Sequence, residues 1–459
     1  MRGQDINQAL ARLAAGALLA LAGGAVLAQA AGEVEFARGV GFAQAPGQAP
    51  RTLGKGLSLQ QGDRLTTSAG ASAIVRLADG TRMTVRPNSE LVLSQYQFKE
   101  NAPDNGMLLQ MIRGGFRAVT GLIAKGSPHA ARVQTSTATI GIRGTDFDAR
   151  LCARDCAAES GKVAERSRPN AVLASAKVVQ AQGELFAVDA GNQRRRLVDG
   201  GSIYPGDVVE TGAGTRAVIA FRDDTRITLG ASTRFRVDNF VYDEQNAAEG
   251  RFLVSVLRGT VRALTGLIAK ANNRNVGFAT ATATIGVRGT GLDIGCTGAC
   301  AGEPPAGNDA GLTVFNWLGS VVVTPDGQTA LQVLQAGQGL FISPTAGIVP
   351  ISNPPAIDAP RPDGVAVPAK LFAKENVSDA QEGLFVFVRD GHIEVATAGE
   401  VLHLGRGEAG FAGQDGNTAR PLDIPKFIDF DSVPLPTSRN PLLQSVLQDN
   451  NVRSRNTCS

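Results

Sequence analysis

The sequence predicts an all-β protein of tandem antiparallel β-sandwich or β-roll domains, two full copies of one unit plus a partial third, behind a cleaved N-terminal signal helix. Three observations carry this. The chain repeats itself at an offset near 144 residues. Within each copy, apolar residues recur at every second position. The composition, with 55 Gly and 22 Pro in 459 residues and aromatics at 5%, suits short aliphatic strands joined by tight turns.

The N-terminus has the layout of a secretory signal. Arg2 and Arg12 give a weakly positive lead, residues 13–27 are apolar or glycine, and Ala28-Gln29-Ala30 is a small-x-small cleavage site. A retained membrane helix would need about 20 strongly apolar residues, and this stretch is shorter and rich in Ala and Gly. Cleavage after Ala30 is therefore expected, with no membrane span in the mature chain. That places it in the periplasm, or secreted to the cell surface. No cysteine follows the cleavage site, so a lipid anchor there is not expected.

The repeat is sharpest at Thr135–Thr145 (TSTATIGIRGT) against Thr280–Thr290 (TATATIGVRGT), and at Val119–Lys125 (VTGLIAK) against Leu264–Lys270 (LTGLIAK). Gly62-Asp63 answers Gly206-Asp207. Ala73, Val75 and Leu77 lead to Asp79-Gly80, a hairpin signal, and then to Met83 and Val85. Ala217, Ile219, Phe221, Ile227 and Leu229 repeat the pattern around Asp223-Asp224. Leu91, Leu93, Tyr96 and Phe98 are answered by Phe235, Val237, Phe240 and Tyr242. The offset then grows by one, which places an insertion in the loop near Asn246. A smaller strand–Gly–strand unit begins near Val34, Val178, Thr313 and Phe385, and Gly319, Gly327 and Gly337 answer Gly391, Gly399 and Gly407.

The resulting division is a signal peptide over 1–30, a first domain over 31–160 and a second over 173–350. A Pro-rich, extended linker covers 351–375, a partial third repeat 376–420, and an irregular tail 421–459. The partial repeat lacks the hairpin and the TATIG strand, so it is expected to dock on the second copy or on a partner chain.

Four of the five cysteines form two pairs in equivalent places, Cys152 with Cys156 and Cys296 with Cys300. In an oxidising compartment close pairs read as disulfides. Four thiols on one zinc ion is the alternative, but these pairs belong to different repeats rather than to one small zinc domain. Cys458 is left over. The balance of 45 basic and 42 acidic residues implies no nucleic-acid partner. The run Arg194-Arg195-Arg196 reads as a solvated loop.

No catalytic constellation is visible: no serine elbow, phosphate loop or zinc-protease helix. No cofactor and no metal site are expected. His129 has no obvious partner, while His392 and His403 fall on neighbouring strands and could approach one another. In the RGT motifs, Gly141, Arg143 and Gly144 and their counterparts Gly286, Arg288 and Gly289 read as structural. Each arginine is expected to cap carbonyls or pair with an internal acid, for which Asp148 and Asp293, present in both copies, are the candidates. Trp317, the single tryptophan, reads as packing rather than as a sugar platform.

Gly-Asp before a strand, the hairpin, Asn88-Ser89, Arg113-Gly114 and the TATIGIRGTDF run together resemble the FecR domain. Gly206-Asp207, Arg258-Gly259 and TATIGVRGT match in the second copy. The resemblance covers roughly residues 33–150 and 175–345. It implies a β fold and a periplasmic, protein-binding habit. Family members that regulate iron uptake place a sigma-factor-binding segment before a membrane helix. Here 12 residues precede the apolar stretch, so that role is not carried over. The expectation is an exported, non-enzymatic interaction module that binds an envelope or outer-membrane protein, with a structural or glycan-binding surface protein as the alternative.

Overall fold

A computed structural model describes residues 30–126, 129–304, 310–328, 331–430, 433–434 and 436. The signal segment, the polar tail from Ser438 and Cys458 lie outside the described residues. The described chain is all-β, in two sheets of 15 strands each.

Six strands of 14 residues each organise both sheets: β1 (Gly106–Val119), β2 (Thr139–Cys152), β3 (Arg251–Leu264), β4 (Ala283–Cys296), β5 (Leu312–Pro325) and β6 (Gly383–Ala396). Each carries a left-handed glycine near its middle: Gly114, Gly144, Gly259, Gly289, Gly319 and Gly391. There the strand changes partners. Before Gly114, β1 pairs with Glu90–Gln97; from Gly114 onwards it pairs with β2 and with Arg82–Val85. A β-branched or bulky residue would resist that bend, and glycine does not. The sheet thus folds over on itself and encloses one apolar core per copy. Phe116, Phe147, Val75 and Met83 lie in the first, and Phe221, Phe252 and Phe278 in the second.

Smaller features follow from the residues. Ser72–Leu77 and Arg82–Val85 form the expected hairpin, with Gly80 left-handed in its turn. The step from Leu93 to Tyr96 breaks the period of two because a β-bulge follows Leu93, and another follows Val237 in the second copy. The loop between strands is one residue longer in the second copy, 242–250 against 98–105, as the shifted offset requires.

Three expectations need correction. The sheets are not wholly antiparallel: Ala131–Gln134 runs parallel to β1, and Val276–Ala279 runs parallel to β3. A parallel pair needs a crossover connection, and the TGLIAK segments supply it as short helices, Leu122–Gly126 and Leu267–Ala271. The arginine run is a strand, Arg194–Leu197, not a loop. Arg195 is ion-paired with Asp207, and the Arg194 guanidinium lies 3.6 Å from the Phe186 ring centroid.

The third correction concerns topology. Residues 383–413 dock on the first copy, not on the second or on a partner chain. β6 runs antiparallel to β2 from Thr139↔Ala396 to Cys152↔Gly383. In the second copy β5 fills the same edge of β4, from Ala283↔Pro325 to Cys296↔Leu312. The edge of β4 is thus closed by the strand that follows it. The edge of β2 is closed by a strand more than 200 residues further on, and the whole second domain is inserted between them. The Pro-rich segment carries the chain back across the second domain, where Arg262 and Arg226 donate to the Ala359 and Val365 carbonyls.

Candidate functional site

The RGT motifs sit at the bends of β2 and β4. A Cβ on Gly391 would stand 2.4 Å from the Gly144 carbonyl oxygen, and one on Gly319 2.4 Å from that of Gly289. Two glycines therefore face each other across each bend. Thr145 ties the bend to both neighbours: its hydroxyl donates to the His392 carbonyl at 3.0 Å, and its N–H donates to Thr120 at 2.7 Å. Thr290, Ser320 and Thr265 repeat this.

The acid that pairs with Arg143 is not Asp148. Arg143 reaches Glu394 of β6 at 3.0 Å, beside Gly141, where a Cβ would lie 3.7 Å from that carboxylate. Asp148 is buried and takes the Arg389 guanidinium at 2.7 Å. Asp293 takes Arg262 at 3.3 Å and the Trp317 indole N–H at 3.1 Å; burial nonetheless pushes its carboxyl above the usual range. Arg389 and Trp317 occupy the same position in β6 and β5, so a guanidinium and an indole perform one task. Arg288 is exposed. Gly286 pairs across the ladder with Val322, the counterpart of Glu394. Sequence reasoning missed Glu394 because its partner lies in a strand assigned to another unit.

Both cysteine pairs are disulfides, Cys152–Cys156 and Cys296–Cys300. The first loop holds Asp155 and Glu159 against Arg150, each 2.6 Å from a guanidinium that is almost wholly buried.

A buried charge cluster lies where the strands that close the first domain meet the second. Lys177 of the Ala176–Gln182 strand is fully buried and donates to Glu408 at 2.8 Å; Arg420 donates to the same oxygen at 2.8 Å. Burial works to raise the Glu408 carboxyl, but the two cations more than offset it and hold it below the usual range. Burial pushes Lys177 down to about 8 against the pull of Glu408. Nothing in the sequence marked these three residues, and Lys177 stands more than 200 positions from the other two.

Beside the triad, His392 Nε2 and His403 Nδ1 approach to 3.4 Å, with the rings stacked at 27°. Glu394 lies directly across from His403, and His129 Nδ1 is 4.0 Å from Glu394 Oε2. The chain's three histidines thus converge on one carboxylate. Gly200 of the second domain covers His403 so closely that a Cβ there would fall 2.0 Å from the ring. Burial holds His392 well below its usual range, helped by His403, Lys177 and Arg143.

Fold and sites together define a tandem all-β repeat protein, disulfide-bearing, with one domain inserted into the other. The family model described as FecR protein matches both copies, over residues 63–164 and 207–300. The matches end with the disulfide loops, before β5 and β6. No curated protein matches the chain. Two crystal structures of a candidate anti-sigma factor from Parabacteroides distasonis are similar to it at 15% and 16% identity, each with a TM-score of 0.24. Each comparison covers 32% of this chain and 60% of the other.

Proposed function

We propose that this chain is an exported, non-catalytic protein-interaction module of the bacterial envelope, acting in envelope signalling. The FecR match in both copies is the observation that carries the reading. The two disulfides favour an oxidising compartment, and among the described residues no helix is long and apolar enough to cross a membrane. The near-balanced charge argues against a nucleic-acid partner. Trp317 offers no stacking platform for a sugar. Gly291 lies against its ring and Arg361 sits 4.0 Å from its centroid.

The test is fractionation followed by photo-crosslinking in living cells, with the crosslinker at the exposed Val40 and Phe42. The mature chain should begin at Ala31, be released with the periplasm and crosslink to one envelope protein. Deleting the gene for either protein should shift the same set of transcripts. A chain that stays unprocessed at the membrane, or that binds cell-surface glycan and crosslinks to no protein, would reject the proposal.

A further inference from the structure

We infer that His392, Glu394, His403 and His129 form a binding site for a zinc-class divalent cation, built into the strands that close the first domain. Three of these residues place their ligand atoms within 4.8 Å of one another. Ligands at the usual zinc–nitrogen distance of about 2.0–2.1 Å in a tetrahedral shell lie roughly 3.3–3.4 Å apart. The two imidazole nitrogens stand at 3.4 Å. Arg143 occupies Glu394 Oε1, which orients the carboxylate and leaves Oε2 on the side of His129. Glu394 supplies the negative charge that offsets Arg143 nearby.

The second copy is an internal control. Its ladder puts Ser320 where His392 stands, Val322 where Glu394 stands and Val333 where His403 stands. A Val–Val cross-strand pair is what an ordinary sheet rung accepts. The fold therefore makes no demand for two histidines and a glutamate here. Together with the His129 loop, the ligand set draws on three separate segments: a cation would clamp β6 and its neighbour to the first domain, beside the contact with Gly200.

The test uses the full mature chain carrying Cys458→Ser, so that the remaining thiol does not compete. Zinc chloride is titrated by calorimetry against a chromogenic chelator, and the cobalt-loaded protein is examined for the intense visible bands of a tetrahedral site. The expected result is one equivalent bound with Kd below about 1 µM and a higher melting temperature with zinc. Glu394→Val with His403→Val installs the pair the second copy already folds with, and should weaken binding at least ~100-fold. His129→Ala, at an exposed position, should weaken it about 10-fold. Absence of stoichiometric binding by the parent chain would overturn the site, as would undiminished binding by the double-valine variant.

Discussion

Arg143 and Arg288 stand at the same point of two copies of one motif, yet their surroundings differ. Arg143 is held between strands and paired with Glu394; Arg288 is exposed, and no ion pair involves it among the described residues. Truncating a half-buried charged partner leaves the other charge unmatched, whereas trimming an exposed side chain costs little. Arg143→Ala should therefore lower the stability of the first domain by about 1–3 kcal/mol, and Arg288→Ala should change the second by less than about 0.5 kcal/mol. Urea unfolding followed by hydrogen exchange separates the two domains; equal losses would contradict this account. The sequence marked both arginines as structural and could not separate them, because the difference lies in the strand opposite.

The elements are long strands made to bend. Gly391 and Gly80 are both left-handed, but their surroundings are opposite. A Cβ on Gly391 would meet the Gly144 carbonyl at 2.4 Å, while one on Gly80 would meet nothing within 4 Å. Left-handed backbone costs a residue with a Cβ roughly 1–2 kcal/mol. Gly80→Ala should cost about that much. Gly391→Ala should cost more, about 2–4 kcal/mol, because backbone must also move. Thermal melts of the two variants give the comparison, and a smaller loss at Gly391 would count against the bend as described. The alternating pattern made these strands legible, while the bulge after Leu93 came from the structure. The TGLIAK crossover was legible as a repeat but not as a helix, since five residues give too little periodicity.

The whole molecule is two interlocked lobes. Leu384, Val386, Val388, Ile393 and Val395 belong to the core of the first domain, although they follow the second in sequence. A chain ending at Lys374 should therefore lose protection over residues 30–152 and keep the second domain folded. Trp317, the only tryptophan, lies in the second domain, so its fluorescence follows that domain alone. If the first domain stays protected in the truncated chain, β6 does not close it.

The triad of Lys177, Glu408 and Arg420 ties the lobes. Glu408→Gln removes the anion between two buried cations and should cost about 3–5 kcal/mol. The Glu408 carboxyl is held below its unfolded value of about 4.5, so its contribution is complete above that pH. It is lost as the pH falls through the lower folded value. Acid should thus loosen the lobes in the parent chain more than in the variant. Small-angle scattering across pH 3 to 6 tests this, and identical profiles would disprove it.

By itself the sequence determined the all-β class, the two equivalent copies, the disulfide pairs as close neighbours and the placing of His392 and His403 on neighbouring strands. These depend on local spacing, and spacing is read directly. Tertiary structure alone decided which domain residues 383–413 complete. A sheet edge offers backbone N–H and C=O groups that accept any strand of suitable alternation, so the rung carries no address. The choice fell to the first domain because β5 already occupies the matching edge of β4, and the segment after β2 carries no comparable strand. The same docking brought Glu394 to Arg143, three histidines to one carboxylate and Glu408 to Lys177. Charged residues far apart in a chain read as solvated until the fold buries them together.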